Sequence, residues 1–138
     1  MASRTIRLSE SQTLEVTRST PEVLELTSSW DVTGKLPPTH WHPGQEEYFE
    51  VLSGELTVEL GDEPPEKMSA GSSFIVPPRT HHRMFNAGPD VATATWKITP
   101  ALRTEQMFLY MERGVGGLRG LALLVKFRDE FRLGRRRQ

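Results

Sequence analysis

The chain predicts an all-β protein, a sandwich or a barrel, followed at its C-terminus by α-helices. Three observations carry this reading. Short apolar-patterned runs fill the first hundred positions, turn residues punctuate them, and after Pro100 the apolar spacing changes from strand-like to helix-like.

In chain order, the strands are expected at Leu14–Arg18, Val23–Ser29, Tyr48–Leu52, Leu56–Leu60, Ser73–Val76, His82–Phe85 and Val91–Ile98. Ser53-Gly54 separates two of them as a tight hairpin would, and Gly61-Asp62-Glu63-Pro64-Pro65 makes a wider loop. Gly71, Pro77-Pro78 and Gly88-Pro89 mark further corners, because glycine supplies positive φ and proline presets a turn. Thr104 followed by Glu105-Gln106 is a helix start, and Met107, Phe108, Tyr110 and Met111 then recur at roughly helical spacing. Gly114 to Gly117 interrupts that helix. A second is expected from Leu118 to about Leu133, with Leu121, Leu124, Val125, Phe127 and Phe131 as its apolar stripe. The resulting division is a β-barrel domain over 1–100 and a helical extension over 101–138, packed on the barrel or against a second subunit.

At 138 residues the chain suits one domain with a core of its own, so no metal is needed merely to make it fold. Its 17 basic and 18 acidic side chains leave a formal charge of −1, which argues against a nucleic-acid partner held by general electrostatics. Arg135-Arg136-Arg137 is a local exception, read as a solvated end. There is no cysteine, so any metal must be held by nitrogen and oxygen, and zinc-finger and iron–sulfur sites are excluded. The N-terminus lacks the apolar run of a signal peptide and no stretch is long and apolar enough to span a bilayer. A cytoplasmic protein without membrane partners is the expectation.

All four histidines fall in two clusters, His40-Trp41-His42 and His81-His82, with Glu47 five residues past the first. In an extended strand residues i and i+2 share a face, so His40 and His42 can grip one ion together. Pro37-Pro38 before the pair and Pro43-Gly44 after it exclude a continuous helix.

The stretch Gly34-x5-His40-x-His42-x4-Glu47-x6-Gly54 resembles the first motif of the cupins. Gly71-x5-Pro77-x-Arg79-x2-His82-x3-Asn86 resembles their second, with arginine at position 79 where glycine is usual. The resemblance implies a double-stranded β-helix, or jelly-roll, barrel in which His40, His42, Glu47 and His82 are the metal ligands. Three neutral imidazoles and one carboxylate suit a single divalent transition ion: Fe, Mn, Ni, Co, Cu or Zn. One or two coordination positions stay open. Glu46 would replace Glu47 if the register shifted by one, but the six-residue gap to Gly54 favours Glu47. The continuation after Ile98 looks like that of small, type-2-like single-domain bacterial cupins.

In phase with the ligands, Phe49 and Val51 follow Glu47, and Met84 follows His82, so these three are expected to line an apolar substrate pocket. Arg79 is expected to lack the positive φ of the glycine it replaces and to reshape its turn slightly; alternatively its guanidinium reaches the barrel mouth as an anion contact. His81 and Trp41 should point away from the site, and Asn86 should order a strand end. No general base is evident beyond the metal-bound groups.

The functional expectation is a metal-dependent enzyme acting on a small organic molecule. Oxygenase-type chemistry stands ahead of Lewis-acid isomerisation or cyclisation, and a non-catalytic binding or sensing barrel is the rival. Fold alone does not choose among them. A homodimer formed by exchange of N-terminal strands such as Leu14–Arg18 is also expected, since open sheet edges are usually covered.

Overall fold

The computed structural model describes residues 4–136. Two sheets form the barrel. Strands β1 (Arg4–Arg7), β2 (Gln12–Ser19), β3 (Leu24–Trp30), β5 (Glu46–Ser53), β8 (Ser73–Val76) and β10 (Ala92–Thr99) make one, in the order β1-β2-β3-β10-β5-β8. Strands β4 (His40–Trp41), β6 (Glu55–Leu60), β7 (Glu66–Ser69), β9 (His82–Phe85) and β11 (Arg132–Leu133) make the other, in the order β11-β4-β9-β6-β7. Every pairing between them is antiparallel. This is the cupin double-stranded β-helix.

Alternation puts one face of each strand inside. Leu24 and Leu26 on β3, Phe49 and Val51 on β5, Leu56 and Val58 on β6, and Trp96 and Ile98 on β10 are all buried. The β5–β6 corner is tight: Gly54 has φ +73, and a Cβ there would stand 2.5 Å from the carbonyl oxygen of Val91 and 2.7 Å from Ala92 Cα. Only glycine fits both constraints.

Helix α1 (Thr104–Glu112) begins where expected, but Thr104 does not cap it, because its hydroxyl accepts from Gln45 Nε2 at 2.8 Å inside the protein. Helix α2 (Leu118–Lys126) stops well before the expected Leu133. The backbone turns at Phe127, and Arg132 and Leu133 instead pair with Trp41 and His40 as β11. Beyond Phe127 the segment is held by distant groups: the Glu130 carbonyl accepts from the His42 Nδ1–H at 2.8 Å and the Gly134 N–H donates to the Thr39 carbonyl at 2.8 Å. Ala101, Met107, Phe108, Leu123 and Phe127 join the barrel core.

The turn at Arg79 also departs from expectation. Its φ is +62, so arginine occupies the left-handed conformation that glycine usually supplies, and its N–H donates to the His42 carbonyl at 2.8 Å. The turn therefore keeps the positive φ. Nor is the basic run merely solvated: Arg135 pairs with Asp62 and the Arg136 guanidinium lies over Trp41, while Arg137 falls outside the described residues. Strand β2 lies between β1 and β3 of the same chain. Among the described residues no helix is long and apolar enough to cross a membrane.

Candidate metal centre

Strand β4 carries His40 and leads directly to His42, β9 opens on His82, and β5 brings Glu47 across from the other sheet. His40 stands opposite His82 in the β4–β9 register. The ring-nitrogen atoms of His40, His42 and His82 lie within 4.8 Å of one another. Donors on opposite sides of an ion held at about 2.1 Å are about 4.2 Å apart, so the cluster is near ligand spacing.

Each imidazole is oriented by a main-chain carbonyl. His40 Nδ1 lies 3.3 Å from the Pro38 carbonyl, His42 Nδ1 2.8 Å from that of Glu130, and His82 Nδ1 2.9 Å from that of Thr80. A carbonyl can only accept, so Nδ1 carries the proton and the Nε2 lone pair faces the site in all three neutral rings. Glu47 Oε1 stands 2.9 Å from both His42 Nε2 and His82 Nε2. Yet His42 Nε2 and Glu47 Oε1 are buried with no hydrogen-bond partner, their contact lying off any N–H axis. Lone pairs crowding a carboxylate oxygen in a dry pocket require a positive charge between them. A divalent cation fits that need, so the residues present suit the metal that the fold implies.

The protonation equilibria agree. Burial works to lower the pKa of His42, but the Glu47 carboxylate outweighs it and the net shift is upward. Burial works to raise that of Glu47, and His42 followed by His82 hold it well below the ordinary carboxylate value. His40 is lowered to about 3 by burial and then by its two histidine neighbours. Without metal, the site stabilises a proton on His42 beside ionised Glu47.

A cavity of about 790 Å³ opens beside the cluster. Phe49, Met84, Trp96, Ile98, Phe108 and Phe131 contribute to its apolar walls together with the three histidines and Glu47. Val51 is buried in the core and Arg79 is exposed; neither is among the lining residues. Glu46 is exposed and Glu47 buried, which places the carboxylate as the spacing favoured. His81 turns away, 3.1 Å from Asp62, and Asn86 ties down a strand end through the carbonyls of Trp30 and Asp90. The Arg132 guanidinium lies over the Trp41 ring.

Two participants escaped sequence reasoning. Trp96 Nε1 donates to Glu47 Oε2 at 2.8 Å, which the shared inward parity of β10 and β5 could have suggested. The Glu130 carbonyl, 88 residues from His42, left no signal in the sequence.

Residues 31–97 match the family described as "Cupin domain". Over 53 residues the chain is 47% identical to "Probable oxidoreductase yanE" of Aspergillus niger, covering 38% of this chain and 21% of that protein. It is 42% identical over 53 residues to "Oxidoreductase macE" of Penicillium terrestre, covering 38% and 20%. The chain thus spans about a fifth of the length of the curated relatives it matches. The solved structure of KdgF from Halomonas sp. superposes with a TM-score of 0.65 at 20% identity, over 74% of this chain and 92% of that one. Together these matches support the cupin superfamily; the curated relatives are fungal and do not support a bacterial subgroup.

Proposed function

We propose that this protein is a metal-dependent oxidoreductase that transforms a small, largely apolar organic molecule with dioxygen as co-substrate. The observation that carries this reading is the convergence of three lone-pair-bearing imidazoles and one buried carboxylate at the head of an apolar cavity. His40, His42, His82 and Glu47 would hold the ion. A bound redox-active divalent ion would supply an open coordination position and the electron chemistry.

The protein's own part is binding and orientation. Phe49, Met84 and Phe108 would pack an apolar substrate and displace water, which strengthens every charge interaction at the site. The Trp96 N–H holds Glu47 Oε2, so that Oε1 faces His42 and His82. The oxidoreductase names of the partial fungal relatives favour redox over redox-neutral chemistry. Two copies pairing along the open β1 edge belong to the same reading, with light scattering expected to give twice 15.6 kDa.

The deciding experiment is metal analysis of untagged protein purified without a chelating column, beside His42→Ala, followed by oxygen uptake on a panel of apolar phenols and ketones. About one first-row ion per chain, lost in the variant, with substrate-dependent oxygen uptake is the expected result. Turnover that persists without oxygen would move the reading to Lewis-acid isomerisation. Tight ligand binding without turnover would favour a binding barrel.

A further inference from the structure

We infer that the C-terminal strap, residues 127–134, is a working part of the metal centre: Glu130 is a positioning residue for His42, and strap docking is coupled to metal binding. This rests on the metal reading above.

The three imidazoles are not held alike. The carbonyls that orient His40 and His82 lie two residues upstream of each ring, on its own segment, whereas the carbonyl that orients His42 arrives from 88 residues away. Release of the strap would leave two rings fixed and the third free to turn.

The strap has its own anchors. Phe127 and the Glu130 side chain are buried, and the N–H groups of Glu130 and Phe131 both return to the Phe127 carbonyl at 3.0 Å. The Glu130 carboxylate accepts from the Arg103 main-chain N–H at 3.2 Å and its guanidinium at 3.5 Å, just before α1. Arg103 also donates to the Lys126 carbonyl. Further on, Leu133 pairs with His40 across β11–β4, the Gly134 N–H donates to the Thr39 carbonyl at 2.8 Å, and the Phe131 ring meets His40 edge-on at 5.8 Å. The strap therefore touches two of the three histidines. Phe131 and Leu133 also line the cavity.

Carbonyl partners of metal-bound imidazoles set ring orientation and ligand basicity, and their loss commonly weakens metal binding about ten- to a hundred-fold. Coupling is reciprocal, so metal that is held better with the strap docked must in turn hold the strap. The inference differs from a passive covering role in that metal and strap report on each other.

The test uses the full chain and the double variant Arg103→Met, Gly134→Pro. The first change removes the guanidinium from the Glu130 carboxylate and from the Lys126 carbonyl, leaving only the main-chain N–H at 103; the second removes the N–H given to Thr39 and forbids the φ of +93 found at Gly134. Three measurements are made: the imidazole Nδ1–H signals by nitrogen-15 NMR without metal, zinc affinity by chelator competition, and amide exchange over 129–134 with and without zinc. The expected results are loss of the His42 signal with that of His82 retained, zinc binding about ten- to a hundred-fold weaker, and slower wild-type exchange in the strap on zinc addition. An unchanged His42 signal and unchanged zinc affinity in the variant would overturn the inference. If the variant does not fold, strap exchange in the wild type decides, and indifference to zinc overturns it. If the wild type takes up no zinc or cobalt, the metal reading fails, and the His42 Nδ1–H signal alone judges the strap.

Discussion

Trp96 and Glu47 are joined across the β10–β5 pair by a buried hydrogen bond of 2.8 Å from the indole N–H to Oε2, which leaves Oε1 beside His42 and His82. One carboxylate is thereby divided into an oxygen anchored by the indole and an oxygen turned toward the histidines. Trp96→Phe removes the donor while keeping most of the ring packing against Phe49 and Phe108. It should cost about 1–3 kcal/mol of stability through the unsatisfied buried oxygen, and weaken metal binding about ten-fold or more. Thermal unfolding of the metal-free protein and chelator competition measure the two effects; unchanged values in both would show that Glu47 needs no support from β10.

Neighbouring glutamates should behave oppositely. Glu47→Gln should abolish stoichiometric metal uptake and let the pKa of His42 fall, because the carboxylate is what holds it up against burial. Glu46→Gln, at an exposed position, should change neither. Metal content and histidine NMR titration distinguish them, and metal loss in both would point to a shifted register.

Acid should destabilise the metal-free protein in a defined window. His40 has an unfolded value of 6.5 and a folded value of about 3, so between these limits the unfolded chain binds more protons and stability rises with pH. Glu47, depressed on folding, adds stability that is lost as pH falls toward its folded value. His42 acts the other way: its raised value contributes stability below pH 6.5 that is lost as pH rises through the folded value. Denaturant unfolding from pH 7 to 4 should therefore show falling stability, with His40 responsible for at most about 1.4 kcal/mol per pH unit. His40→Gln should flatten that slope; an unaltered slope would assign the acid sensitivity elsewhere.

Arg79 offers a contrast of conformation with chemistry. Its side chain is exposed and its φ is +62. Arg79→Gly should change stability by between zero and about +1 kcal/mol, relief of left-handed strain being offset by the freer unfolded chain. Metal affinity should not move. A loss of ligand binding in this variant would instead give the guanidinium the anion-contact role.

Much of the fold was legible because it rests on local pattern. Ser73–Val76 and His82–Phe85 coincide with β8 and β9, and the longer runs differ from β2, β3, β5, β6 and β10 only at their ends. Strands β1, β7 and β11 were not legible. Arg4–Arg7 holds one buried residue, Ile6, and Arg132–Leu133 is two exposed residues, so neither has an apolar period to detect. The shared face of His40 and His42 was readable since i, i+2 spacing on a strand is itself geometry, while Glu47 and His82 were implied by the resemblance to the cupin motifs. Parity alone pointed Trp96 inward without naming Glu47 as its partner, and the Glu130 carbonyl, 88 residues from His42, left no local trace.

The sequence by itself determined the strand alternation, the turn chemistry and the shared face of His40 and His42, all properties of residues a few positions apart. Tertiary structure alone decided that α2 ends at Lys126, that Arg79 adopts a glycine-like φ, that Val51 and Arg79 stay out of the cavity, and that Glu130 orients His42. The deciding partners are distant in the chain, acting through main-chain hydrogen bonds with the His42 segment at Arg79 and Glu130 and through core packing at Val51, which chain-local propensity is too weak to encode.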